Sequence, residues 1–256
     1  MQLMNDEPMK KQIIKIIICN MALMVSIPLI AQDGNKMLQD IDDNLSANSR
    51  IIESTMIIHG KRNDRTITSK SYTMGTDKSL TEYMSPPREK GTKMLKLSNE
   101  MWVYSPTTDR TIMISGHMLR QSVMGSDLSY EDMMDDRKLT VIYNANIEGT
   151  ENYNGKDCKV LILISKVKDA AYQKQKMWVD TNYLIPLKIE LYAKSGQLLK
   201  MITMSDIKQT EGRWFPMKMT YKDMLAEGDG TEWVINSITF NKQIPDYIFS
   251  KASLKK

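Results

Sequence analysis

Two histidines, His59 and His117, are all the imidazole this chain has for acid–base work. Neither stands at His-Glu-x-x-His or any other metal-ligand spacing. His117 with Ser126 and Asp127 has the composition of a nucleophilic triad. The serine, however, sits in Gly125-Ser126-Asp127 and lacks the Gly-x-Ser-x-Gly elbow that presents a nucleophile between strand and helix. The same tripeptide lacks the glycines of a phosphate loop. Glu131, Asp132, Asp135 and Asp136 carry charge enough for calcium, but an EF-type loop needs oxygens at alternate positions around a central glycine. Asp135-Asp136-Arg137 therefore reads as a solvated face, as do Asp40, Asp42 and Asp43. Arg88, Lys90 and Lys93 after a diproline form either a basic rim or ordinary soluble surface. No carboxylate pair is placed as acid and base, so no enzyme, cofactor or metal centre is expected.

Cysteine and the N-terminal end bound the compartment. Lys10, Lys11 and Lys15 precede an apolar run, Ile16 to Ile30, that closes at Ala31 or Gln32. This is the pattern of a cleaved secretory signal starting at Met9, because Asn20, Ser26 and Pro28 interrupt a run already shorter than the roughly 20 residues of a spanning helix. Residues 1–32 are read as a removed leader and 33–256 as a single β domain. Cys19 follows Ile17-Ile18 where lipid attachment needs small residues, so it is discarded with the leader. That leaves Cys158 alone, in the strand pattern Cys158-Lys159-Val160-Leu161, as a structural thiol with no base beside it. The net charge of +4 comes from interspersed residues and gives no nucleic-acid footprint.

Stepping along the chain, Met37, Leu38, Ile41 and Leu45 recur at helical spacing, which predicts an amphipathic helix over 33–47. Strands are expected at 51–59, 65–74, 80–84, 92–97, 101–104 and 110–114. They resume at 139–146, 158–165, 174–180, 186–193, 198–206, 213–221 and 232–241. Asn154-Gly155, Ser195-Gly196, Glu211-Gly212 and Gly228-Asp229-Gly230 are hairpin turns between them, and 245–249 is a terminal helical turn. Between the two sets lies 116–137, which does not alternate, ends in a short helix over 129–134, and interleaves Met118, Leu119, Val123 and Met124 with polar residues. An irregular insertion of this length in a sheet protein points to a functional or mobile segment. Many consecutive antiparallel strands imply one strongly curved sheet or unclosed barrel whose concave face the helix and the insertion must cover. Methionine, at 22 against three phenylalanines, either fills the core as a matter of lineage or lets an apolar surface repack around different ligands.

One segment carries a more specific signal. Met101-Trp102-Val103-Tyr104-Ser105-Pro106 is a strand apolar on both faces, with Trp102 and Tyr104 on one and Met101 and Val103 on the other. The basic strand from Arg110 follows, and then Gly125-Ser126-Asp127-Leu128-Ser129-Tyr130-Glu131-Asp132. This order resembles the periplasmic carriers that sort outer-membrane lipoproteins, the LolA/LolB-like family. The family's Arg-Pro pair, whose arginine helps latch the lid, is missing near Met74-Gly75-Thr76-Asp77-Lys78, so the latch is absent or built differently.

The resemblance implies an unclosed β-barrel with a helical lid, no catalysis, and a periplasmic monomer that ferries the acyl chains of lipoproteins, or related free lipid, from an inner-membrane transporter towards the outer membrane. It places the aromatic face of 101–104 towards the cavity, so Trp102, Tyr104, Met118 and Met124 are the candidate ligand-binding residues. Packing in an ordinary core is the alternative for Trp102 and Tyr104. A lipid-sensing module that signals to a membrane partner is the alternative function.

Overall fold

A computed structural model describes residues 28–255. Of the leader expected over 1–32, residues 1–27, with Cys19, lie outside the described residues, and the remainder falls in the first helix. Helix α1 runs Pro28–Leu45. Strands β1 (Ser49–Ile58), β2 (Arg65–Met74), β3 (Lys78–Ser85), β4 (Lys93–Leu97), β5 (Glu100–Ser105) and β6 (Arg110–Ile114) form a first meander. A cover segment follows: 3-10 turns at Gly116–Arg120 and Val123–Gly125, helix α2 (Tyr130–Met134) and the helical turn α3 (Leu139–Ile142). The second meander comprises β7 (Tyr143–Tyr153), β8 (Lys156–Ser165), β9 (Lys174–Asp180), β10 (Ile185–Tyr192), β11 (Leu198–Thr210), β12 (Arg213–Asp223) and β13 (Thr231–Phe240). Two 3-10 turns, Asp246–Phe249 and Lys251–Lys255, end the description.

All 13 strands make one antiparallel sheet in the order β6-β5-β4-β3-β2-β1-β13-β12-β11-β10-β9-β8-β7. The sheet is the unclosed barrel expected from the strand-and-turn pattern. Its two meanders meet where β1 pairs with β13, and strands consecutive in sequence, β6 and β7, stand at opposite edges. The chain between them therefore has to cross from one edge to the other. Register shifts at Glu53/Ser54, Ile147/Gly149 and Leu191/Tyr192 mark bulges, which bend and twist a sheet locally.

Helix α1 lies against the β7–β9 end of the concave face. Leu38 and Ile41, the centre of its apolar stripe, are fully buried with Ala145, Leu161, Leu163, Met177 and Val179. A Cβ on Gly34 would stand 2.4 Å from the Ala145 carbonyl oxygen, so only glycine lets helix and strand approach this closely. Asn35 Oδ1 accepts a 2.8 Å bond from the Ala145 N–H at the same contact.

Two readings need correction here. Residues 139–146 are not one strand: 139–142 are helical and β7 runs on from Tyr143 to Tyr153. The cause is Asp42, whose carboxylate accepts from the Leu139 and Thr140 N–H groups at 2.9 Å each and from Thr140 Oγ1 at 2.7 Å. A side chain from another element thus caps the turn and overrides the strand preference of Leu-Thr-Val-Ile. Asp42 is accordingly 6% exposed and is not the solvated residue its neighbours Asp40 and Asp43 predicted.

Candidate functional site

In an antiparallel sheet, paired residues share a face, so the register decides what the concave side presents. Across the first meander one row reads Arg50, Thr73, Ser79, Lys96, Met101, and the next reads Ile52, Ser71, Thr81, Met94, Val103. Members of both rows line a cavity of about 470 Å3 between the sheet and the cover. That volume is in the range of roughly 300–1,000 Å3 typical of small-ligand sites.

The cavity has two kinds of wall. On β9 to β13 it is mainly apolar, with Met177, Ile189, Leu191, Ile202, Met204 and Ile235 facing in, broken by Gln175 and by the Asp132-paired Lys200. On β1 to β3 it is hydroxylic, with Ser71, Thr73, Ser79 and Thr81 beside Arg50. Leu128 and Met133 of the cover close it from above.

The cover is fastened by polar ties at defined points. Ser129 caps α2 in a reciprocal box with Asp132, as Ser-x-x-Asp spacing allows. Asp132 also pairs with Lys200 of β11 and accepts a 2.5 Å bond from Tyr172 Oη. Burial works to raise the Asp132 carboxyl, but the Lys200 ammonium, Tyr172 and Ser129 outweigh it, so it titrates below the usual carboxylate range. The Tyr172 hydroxyl is pushed well above its ordinary value by burial and by Asp132. Asp136 receives 2.9 Å from Lys96 Nζ, which also donates 2.8 Å to the Thr76 carbonyl. Asp127 accepts from Thr231 Oγ1 at 2.7 Å and from the Asp223 N–H at 2.8 Å, and Arg65 holds the Met124 carbonyl at 2.6 Å. Asp135 and Asp136 are thus half-buried and not a solvated face: Asp135 binds Arg137 of the same segment at 2.8 Å, and Asp136 fastens the cover to Lys96, whose ammonium is sealed in the wall. The latch that the missing Arg-Pro left open is built from acids on the cover and lysines on the sheet.

The candidate ligand residues fall elsewhere. Trp102 pairs with Leu95, Leu95 with Leu80 and Leu80 with Tyr72, a row on the opposite, convex face. There Trp102 is packed with Ile244, Phe249 and Leu254 of the C-terminal turns, and Lys251 Nζ lies 4.0 Å from its ring centroid. Tyr104 shares that face, half-buried, donating 3.2 Å to Asp109. The orientation implied for 101–104 is therefore reversed: Met101 and Val103 face inward, beneath the cover. A strand apolar on both sides cannot itself tell which side is inside. Met118 packs on Met94, Met101 and Ile114, and Met124 on the Met56, Ile67 and Leu128 cluster. Neither lines the cavity. Among the residues that do, Arg50 was not anticipated, because the strand was begun at 51 and the structure begins it at Ser49; the alternation Arg50, Ile52, Ser54, Met56 carried the signal.

The remaining candidates make no catalytic site. His117 is exposed, Ser126 Oγ is buried against the Leu128 N–H, and Asp127 is committed to β12 and β13. Among the described residues no hydrogen bond joins His117 to Ser126, and no group of three or more His, Cys, Asp or Glu is placed for a metal. Cys158 is fully buried, and burial raises its thiol. Of the possible basic rim, Arg88 is exposed, whereas Lys93 is buried on the convex side and donates 3.2 Å to the Ser253 carbonyl.

Comparison with known proteins gives the following. A family model described as "-like: Uncharacterized protein" matches residues 75–256. The uncharacterized protein MJ0687 of Methanocaldococcus jannaschii is 27% identical over 108 residues, 41% of this chain and 32% of that protein, so the chain matches about a third of that relative's length. A putative outer membrane lipoprotein-sorting protein domain from Vibrio parahaemolyticus superposes with a TM-score of 0.77 at 27% identity, covering 88% of this chain and 100% of that one. A DUF1329 family protein from Desulfovibrio piger gives 0.81 at 27% identity, covering 88% and 99%. A LolA superfamily protein from Nitrosomonas europaea gives 0.72 at 22% identity, covering 86% and 98%, and speaks for the fold alone.

Proposed function

Because this chain belongs to the LolA-like superfamily of outer-membrane lipoprotein-sorting proteins, we propose that it is a carrier that shelters acyl chains in its concave cavity. The observation that carries this reading is the cavity itself: a mainly apolar wall across β9 to β13, under a cover held by separate polar ties. Each methylene withdrawn from water contributes roughly 0.8 kcal/mol. A lipid anchor therefore does not cross an aqueous space unaided, and a sheet with an apolar hollow solves that without a catalytic group.

In this reading the leader is removed on secretion and the domain works in the periplasm as a monomer. An inner-membrane transporter loads it, and it carries lipidated protein or free lipid. Met118 and Met124, carried by the cover itself, meet the chain when the cover shifts, and unbranched thioethers suit that repacking. The test is displacement of a neutral naphthylamine probe from the purified protein by a diacylated peptide. Displacement at micromolar peptide, and none by the unacylated peptide, is expected. Equal behaviour of the two peptides would overturn the reading.

A further inference from the structure

Arg50 stands on the inner face of β1, between Thr73 of β2 and Phe240 of β13 in register, and it lines the cavity. Its Nε is buried and meets no hydrogen-bond acceptor. The carboxylates of the same cavity are engaged elsewhere: Asp132 with Lys200, Asp135 with Arg137, and Asp136 with Lys96. The fourth, Glu131, forms no ion pair with Arg50. Arg50 as a whole is half-buried, but a guanidinium N–H shut away from water without an acceptor is costly, and an anion entering the cavity would satisfy it.

The surroundings narrow the anion. Thr73 and Ser79 follow Arg50 along one cross-strand row, and Ser71 and Thr81, 2.9 Å apart, stand on the next. Hydroxyls and a planar fork of N–H donors suit the paired oxygens of a carboxylate or a phosphate. The opposite wall is mainly apolar, and its one cation, Lys200, is already paired with Asp132. We infer that the cavity is a site for anionic amphiphiles, with a carboxylate or phosphate head on Arg50 and the tail along β9 to β13. The inference rests on the carrier reading and sharpens it, since an acylated cysteine with its neutral glycerol presents no such head.

The experiment displaces a neutral naphthylamine probe from the purified protein, at neutral pH, with dodecanoic acid, dodecyl phosphate and dodecanol, and with acetate and inorganic phosphate alone. The two anionic amphiphiles should act at about tenfold lower concentration than dodecanol, the scale of a charge-assisted, two-point hydrogen bond. Acetate and phosphate alone should do nothing. Arg50→Met should bring the three amphiphiles to one affinity without lowering the melting temperature, and Arg50→Lys should keep part of the preference.

Equal displacement by acid and alcohol in the parent protein would overturn the head-group site and leave the carrier reading intact. So would a preference that survives Arg50→Met or Arg50→Gln. Inorganic phosphate competing as well as dodecyl phosphate would make this a site for a free anion. Failure of all three amphiphiles would sink the carrier reading itself.

Discussion

Replacing Lys200 by Met removes the cation that holds Asp132, and with it one fastening of the cover. The side chains of Lys200 and Asp132 are 12% and 14% exposed, so the pair is nearly out of water. Breaking a fully buried pair by removing one partner costs about 3–5 kcal/mol. Asp132 keeps Tyr172 and Ser129, and the residual exposure lets water reach it, so about 2 kcal/mol is the reasonable loss here. If that falls on the closed cover alone, the open population rises about 30-fold, at about 1.4 kcal/mol per tenfold. Hydrogen exchange reads this directly. The Tyr130 and Met133 amides, bonded to the Gln121 and Ser129 carbonyls, should exchange about 30-fold faster, while the amides of β2 and β3 keep their rates.

The sign of the pH dependence follows from Asp132. Its folded titration is depressed, so its contribution is complete above the ordinary carboxylate value of about 3.9 and disappears as the pH falls through the lower, folded value. The parent cover should therefore loosen only in strong acid. In Lys200→Met, burial meets fewer opposing groups and the loosening should begin at higher pH. Uniform acceleration of every amide, or none, would refute the idea that this pair closes the cover locally.

Two further outcomes follow from the packing. Asp42→Ala removes three hydrogen bonds from the start of α3 and should cost about 1–2 kcal/mol, a fall in melting temperature of about 2–8 °C by calorimetry, with Asp42→Asn losing less. Trp102→Ala empties a convex-face cluster and should cost about 3–5 kcal/mol and expose the C-terminal turns to limited proteolysis, while the folded protein binds the naphthylamine probe as the parent does. A loss of probe binding with a firm C-terminus would return Trp102 to the ligand site.

What could be read from the sequence was whatever depends on neighbours in the chain. Strand alternation and Gly-containing turns place β2, β6 and β9 to the residue, and Ser129 announces α2 through its capping box. What could not be read depends on partners far away. The side of β5 that faces inward is decided by a chain of pairings that begins at β1, four strands off. The fate of 139–142 is decided by Asp42, nearly a hundred residues earlier. Acids on the cover looked solvated because their lysines lie on β4 and β11. The Arg50 side chain is conspicuous only once the acids of its cavity are seen to be paired with other cations.

The sheet is interrupted between β6 and β7, whereas β1 and β13, the first and last strands in the chain, pair with each other at the seam. The two discontinuities are thus in different places, and each is spanned by the other kind of bond: hydrogen bonds hold the seam, and the polypeptide itself bridges the gap. A nick at Gly125 would leave two complementing fragments, each a whole meander, joined along β1 and β13. It would also cut the tether that limits how far the two free edges can splay. The same peptide linkage that roofs the hollow limits the width of its mouth, so lengthening it by a few residues would let the two edges part further while leaving the strands of the wall unchanged.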